Sequence, residues 1–150
     1  MVGRITLLFW LCFIPRASFP QKALNGFYIL MENQSKCDHP FPVLHEKTTM
    51  CSTEKPIISD KDFVSVSEIM YDSTLFLKVI ELKLSTEGFN VLRTLATRLP
   101  DSKIALVLDG KVTGIYKGSS GLISQSIPIS GSINSNEVDW IYERLKKMKL

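Results

Sequence analysis

The stretch Leu75-Phe76-Leu77-Lys78-Val79-Ile80-Glu81-Leu82-Lys83-Leu84-Ser85-Thr86-Glu87-Gly88-Phe89 contains the change of period that decides the fold. As far as Leu84 the side chains alternate, with Leu75, Leu77 and Val79 on one side and Phe76, Lys78 and Ile80 on the other, the pattern of a half-buried strand. Ser85-Thr86-Glu87 then supplies a helix N-cap and an acidic first turn. Phe89, Leu92, Ala96 and Leu99 follow at helical spacing and predict one buried face, and Pro100 ends the helix.

Moving outward from this unit, Lys103 to Leu108 is a near-continuous apolar strand suited to the middle of a sheet. Asp109-Gly110 is a strong hairpin signal, so Lys111 to Tyr116 is expected to return antiparallel. Gly118-Ser119-Ser120-Gly121 reads as a loop, Ile123 to Ile129 as extended chain and Ser130-Gly131 as a turn. A last helix is predicted from about Asn134, with Glu137 closing a capping box. Val138, Ile141, Tyr142 and Leu145 form its buried stripe, and Arg144, Lys146, Lys147 and Lys149 suit the negative end of its dipole.

Upstream, Gly26 to Met31 is aromatic and aliphatic enough for a first strand. His39-Pro40-Phe41-Pro42 is expected to break regular structure, with short extended pieces at Val43 to His45 and Thr48 to Cys51. Asp62 to Met70 alternates and is read as a strand. The fold class is therefore α+β, a mainly antiparallel sheet with two helices packed on one face.

The 150 residues, 45% hydrophobic and 22% charged, suit one folded domain rather than a disordered chain. The first 20 residues stand apart: Arg4 precedes an almost uninterrupted apolar run from Ile5 to Pro15, the layout of a secretory signal peptide. The run is about half of the roughly 20 residues a membrane-spanning helix needs. Residues 1–20 are thus read as a signal peptide and 21–150 as the exported domain, periplasmic or secreted, with no integral membrane segment. Cys12 as a lipid-modified cysteine is the lesser reading, because Trp10-Leu11 stands where small residues are expected. Removing residues 1–20 takes away two of the 18 basic residues and none of the 15 acidic ones, leaving 16 against 15 and a net charge of +1. Such a balance points to no nucleic-acid partner.

Cleavage leaves Cys37 and Cys51, an even pair that reads first as a disulfide in an oxidising compartment. His39 and His45 lie between them, but structural zinc sites show tighter cysteine pairs, so neither a metal nor a cofactor is assigned. The Gly118 to Gly121 loop lacks the Gly-x-Ser-x-Gly pattern of a nucleophile elbow and the Lys-Ser/Thr ending of a phosphate loop. Asp109, beside Lys111, is placed for turn geometry. No residue set demands catalysis, and the chain is read as a non-enzyme. Trp140 lies off the buried stripe of the last helix, and with Tyr142 it marks a possible contact surface. Asn33-Gln34-Ser35 fits a glycosylation sequon.

Four segments, taken in order, resemble the head part of the first large periplasmic domain of SecD, a protein-export subunit. Leu82 to Phe89 is similar to the family's strand end, Thr-x-Glu-Gly turn and helix start. Ile104 to Val112 resembles its strand and Asp-Gly-Lys-Val turn, and Ile127 to Gly131 with Asn134 to Glu137 resembles its Ile-Ser-Gly element and final helix start. Pro56 to Phe63 is similar to its acidic strand entry. The chain departs from the family at Thr113-Gly114-Ile115-Tyr116, where a Ser-Ala-Pro segment usually follows the turn, and the resemblance does not require the cysteine pair. It implies an α+β head that handles polypeptide segments or an envelope protein, without the membrane helices of the SecD motor. The alternative is a structural or assembly domain of the envelope with no role in translocation.

Overall fold

The computed structural model of the protein describes residues 24–32, 37, 39–118, 124–148 and 150. The expected signal peptide, the sequon at Asn33 and the loop residues Ser119 to Gly121 lie outside them. In chain order the strands are β1 (Gly26–Ile29), β2 (Pro40–Pro42), β3 (Thr49–Cys51), β4 (Ile58–Ser59), β5 (Phe63–Val66), β6 (Met70–Asp72) and β7 (Leu77–Leu84). Helix α1 (Thr86–Arg98), β8 (Lys103–Leu108), β9 (Lys111–Lys117), β10 (Ser126–Ser132) and α2 (Glu137–Lys147) complete the fold.

These strands form a sheet of order β4-β1-β8-β9, a second of order β10-β7-β5 with β6 also on β7, and the β2-β3 hairpin. Every ladder between named strands is antiparallel. Alternation assigns the faces. Ile80, Leu82 and Leu84 of β7 join Ile127 and Ile129 of β10, Phe27 of β1 and Ile104, Leu106 and Leu108 of β8 in one core. Leu92 of α1 and Val138, Ile141, Tyr142 and Leu145 of α2 close the same core. The opposite side chains of the first sheet, Tyr28, Ala105, Val107 and Val112, form a smaller core under the β2-β3 hairpin. The protein is α+β, with mainly antiparallel sheets and two helices.

Local chemistry explains the boundaries. Ser85 caps α1 as expected, its hydroxyl accepting from Gly88 N at 3.0 Å and donating to Asp62 Oδ1 at 3.0 Å. Asp109 and Gly110 both take positive φ, 49° and 74°, the geometry that joins β8 tightly to β9.

Other expectations are corrected. β7 starts at Leu77, because Leu75 and Phe76 lie in a turn and Phe76 has φ 53°. The expected strand over Asp62 to Met70 divides into β5 and β6, with an irregular register between Phe63 and Ser65. Pro40 and Pro42 belong to a strand after all: the hairpin is only two strands wide, so an edge position tolerates a missing N–H. Ser130-Gly131 is strand rather than turn, and a Cβ at Gly131 would lie 2.9 Å from Val138 Cγ2, so the glycine admits α2 onto β10. No capping box forms, since α2 begins at Glu137 and Asn136 makes no side-chain cap; Ser135 Oγ accepts from Glu137 N at 3.1 Å instead.

One inward position of β7 is charged. Lys78 is buried in line with Ile80 and pairs with Asp139 in the first turn of α2, and its Nζ also donates to Ser135 O at 3.2 Å. Removing the carboxylate strands the ammonium, whereas replacing the lysine by an apolar chain removes that demand. Asp139→Ala is expected to lower unfolding free energy by about 2 kcal/mol, the partial exposure of the carboxylate keeping it below fully buried cases, and Lys78→Met by less than about 1 kcal/mol. Urea titrations of the two variants check the asymmetry.

Candidate functional site

Helix α1 buries only Gly88 and Leu92 completely, with Leu95 packed partly against the core. Leu99, expected in the buried stripe, is instead the C-cap residue and is 49% exposed. The stripe is therefore shorter than its sequence spacing implies, and the apolar surface left over lines a groove. One section, about 390 Å³, is formed by Ile57, Asn90, Val91, Thr94, Leu95 and Arg98. The Thr94 hydroxyl donates to Asn90 O at 2.8 Å, so its one donor is already engaged within the helix and only its acceptor side is left for a ligand.

Arg98 also lines the larger section, about 710 Å³, where the end of α1 meets the ends of β1 and β3. Backbone bonds fix its walls: Met31 N donates to Cys51 O at 2.8 Å, Leu30 N to Lys103 O at 2.8 Å and Ser102 N to Leu99 O at 3.1 Å. Leu30, Met31, Met50 and Leu99 supply apolar surface, while Glu32, Arg98, Asp101 and Lys103 bring charges of both signs. Volumes of this size suit a ligand or several side chains of a bound segment. Two methionines add a deformable, polarizable lining that fits varied side chains.

The cysteine pair borders this site. Cys37 and Cys51 form a disulfide with Cα atoms 5.4 Å apart, and Cys51, buried in β3, lines the larger section. Bonded to each other, the two sulfurs offer no thiolates for a zinc site with His39 and His45.

Trp140 and Tyr142 lie elsewhere, on α2. Trp140 is half-buried, with Arg144 Cζ 5.3 Å and Lys111 Nζ 5.8 Å from its ring centre. Arg144 Nε is also 3.2 Å from Asp109 Oδ2, which ties α2 to the β8-β9 turn. Asp109 and Lys111 thus engage different partners. Tyr142 is buried, its hydroxyl donating to Glu68 Oε2 at 2.6 Å and accepting from Lys146 Nζ at 2.8 Å. The hydrogen bond to Tyr142 holds the Lys146 ammonium above the usual lysine range, aided by the charge of Glu68. Tyr116 is pushed far up by burial. Sequence reasoning pointed to Trp140 and Tyr142 and missed the groove, whose one sequence signal was an apolar residue, Leu99, at the margin of the helix.

No family model and no curated protein matches the chain. Two solved structures share its fold. The first is of a membrane component SecDF that enhances protein export, with TM-score 0.58 and 16% identity over 84% of this chain. The second is of SecDF in a super-membrane-facing form, with TM-score 0.58 and 15% identity over 83% of this chain. The chain spans 63% of the first structure and 18% of the second. What the chain shares with them is a SecDF-like fold.

Proposed function

We propose that the protein is a non-catalytic exported domain of the SecD head type that holds extended polypeptide segments in the α1 groove. The observation that carries this reading is the pair of apolar clefts meeting at Arg98, with Val91 44%, Met31 47% and Leu99 49% exposed along them. An unfolded segment presents apolar side chains, backbone amides and charges of either sign, and the groove supplies apolar walls with mixed charges at its rim. The fold of an export component and the Cys37–Cys51 disulfide support placing the domain in the periplasm or outside the cell, after loss of residues 1–20. Among the described residues no helix is long and apolar enough to cross a membrane. A second contact, with a folded envelope protein, is assigned to the Trp140 face beside Tyr142, where tryptophan and arginine form the kind of cluster that dominates interfaces.

The test is fluorescence anisotropy with a labelled, reduced and carboxymethylated polypeptide that cannot fold. The parent domain should bind it, and Leu99→Asp and Val91→Asp should each weaken binding about tenfold, equivalent to ~1.4 kcal/mol. Both positions are exposed, so melting temperatures should stay near the parent value. Absence of binding by the parent, or affinity indifferent to both substitutions, would remove the polypeptide assignment and leave an assembly role.

A further inference from the structure

Among the described residues the three most exposed large hydrophobic side chains are Phe76 at 69%, Leu75 at 64% and Tyr71 at 63%. All three belong to one β-hairpin, formed by β6 and β7 and joined by the turn from Ser73 to Phe76. Met70, 47% exposed, stands at its base. None of them lines the groove described above. Phe76 is also held at φ 53°, a conformation unfavourable for a bulky residue. Folding alone would favour glycine there and a polar side chain in water, so the phenylalanine is wrong on both counts for stability.

The turn is braced. Asp72 Oδ1 accepts from Thr74 N at 2.9 Å and from Leu75 N at 3.0 Å, and Phe76 O accepts from Ile133 N at 3.0 Å. Three backbone polar groups of the turn are thereby satisfied inside the protein. The turn itself, Ser73-Thr74-Leu75-Phe76, carries no charged side chain, and the one carboxylate at its neck is engaged by the backbone.

We propose that this hairpin end is a membrane-contact element, which dips Leu75 and Phe76 into the interfacial region of a lipid bilayer with Tyr71 at headgroup level. An exposed apolar turn fits a deformable bilayer without needing a matching pocket. The three internally bonded backbone groups reduce the cost of entering a medium where free polar groups are expensive. Tyrosine beside aliphatic and phenyl side chains is the composition of protein surfaces at the membrane–water interface. Charge adds a constraint: the first turn of α2, which follows the Ile133 that braces the hairpin, carries Glu137 and an Asp139 already paired with Lys78, while the basic residues of α2 lie in its last turn. Contact through the hairpin should therefore gain nothing from anionic lipid.

The experiment is co-sedimentation of the intact exported domain with vesicles of pure phosphatidylcholine and with vesicles containing one quarter phosphatidylglycerol. The protein should bind both, no more tightly to the second, with little change on adding salt. Leu75→Ser and Phe76→Gly should each reduce partitioning about tenfold, the loss of one large apolar contact. Phe76→Gly should melt no lower than the parent, because glycine accepts the positive φ. That combination, lost binding with an undamaged fold, separates a contact role from a structural one. The proposal is overturned by no sedimentation with either vesicle or by binding that survives both substitutions. Binding confined to anionic vesicles and lost in salt also overturns it, pointing instead to the basic end of α2. A concentration-dependent dimer dissolved by the same substitutions overturns it in favour of a second copy of the chain.

Discussion

Gly26→Ala is expected to destabilise the protein by about 3 kcal/mol or more, a large share of the total stability of a domain of this size. Gly26 opens β1 at φ 154°, and a Cβ there would lie 2.1 Å from the carbonyl oxygen of Ile58 and 2.9 Å from Pro56 Cβ. The first of these atoms is backbone and cannot swing aside. Nor can β1 retreat, because Gly26 is paired with Ser59 of β4 on one side and Val107 of β8 on the other. The cheapest escape is to detach β4. That would pull Ile58, 2% exposed, out of the main core, and losing one such aliphatic side chain costs on the order of 2–3 kcal/mol before any strain is added. Gly114→Ala is the control. Its Cβ would meet Tyr116 Oη at 3.0 Å, the far end of a side chain, and a change within about 1 kcal/mol is expected. Equal urea midpoints for parent and Gly26→Ala would mean that β4 does not lie against β1.

What the sequence discloses and what it hides follow from the range of the interactions. The stripe Val138, Ile141, Tyr142 and Leu145 is buried residue for residue, since one amphipathic turn after another specifies it. Ser85 and Asp109-Gly110 act through bonds and dihedrals within a few residues, and both behave as their chemistry demands. Gly131 is different. By itself Ser-Gly is a turn signal; only the approach of Val138 from α2 makes it a strand residue without a side chain. The prolines of β2 depend on the hairpin having no third strand among the described residues, which local sequence does not encode.

The groove was hidden for a related reason. Its lining comes from residues 30–32, 50–51, 57, 90, 91, 94, 95 and 98–103, brought together by the β1-β8 ladder and the β3 contacts. Periodicity registers apolar residues without saying which of them the fold will cover. Leu99 fits the helical spacing of a core position and is left half-exposed because the chain leaves the helix there, with Ser102 N turning back to Leu99 O. Phe76 was similarly absorbed into an alternating strand pattern, and only the positive φ takes it out of β7. In both places the error lies at the end of a regular element, where period stops being informative.

Reducing the Cys37–Cys51 disulfide is expected to cost about 3 kcal/mol, the loop-entropy value for a closed loop of ~15 residues. The two cysteines are 14 positions apart, and the loop between them includes all of β2. Among the described residues the segment is otherwise held by Leu44, buried in the main core with its N donating to Val112 O at 2.9 Å, and by the packing of the hairpin. The hairpin covers the smaller core through Phe41 and Met50, with the rings of Phe41 and Tyr28 5.1 Å apart, and is joined to β1 through Met31 N and Cys51 O. Loss of the cross-link should therefore act unevenly. Amides of β2 and β3 should lose hydrogen-exchange protection first, while β7, β8 and β10, built into the main core, keep theirs until global unfolding. The wall of the larger cleft, Met50 and Cys51, belongs to the loosened part, so polypeptide binding should weaken under reduction even at temperatures where the main core is intact. Urea titration with and without dithiothreitol, repeated on Cys37→Ser/Cys51→Ala, checks the magnitude, and the double variant should match the reduced parent. A reduced protein with an unchanged midpoint and undiminished β3 protection would show that packing on the first sheet alone fixes the hairpin. Folding would then place no demand on an oxidising compartment, and the argument for export would rest on residues 1–20 and the fold shared with an export component.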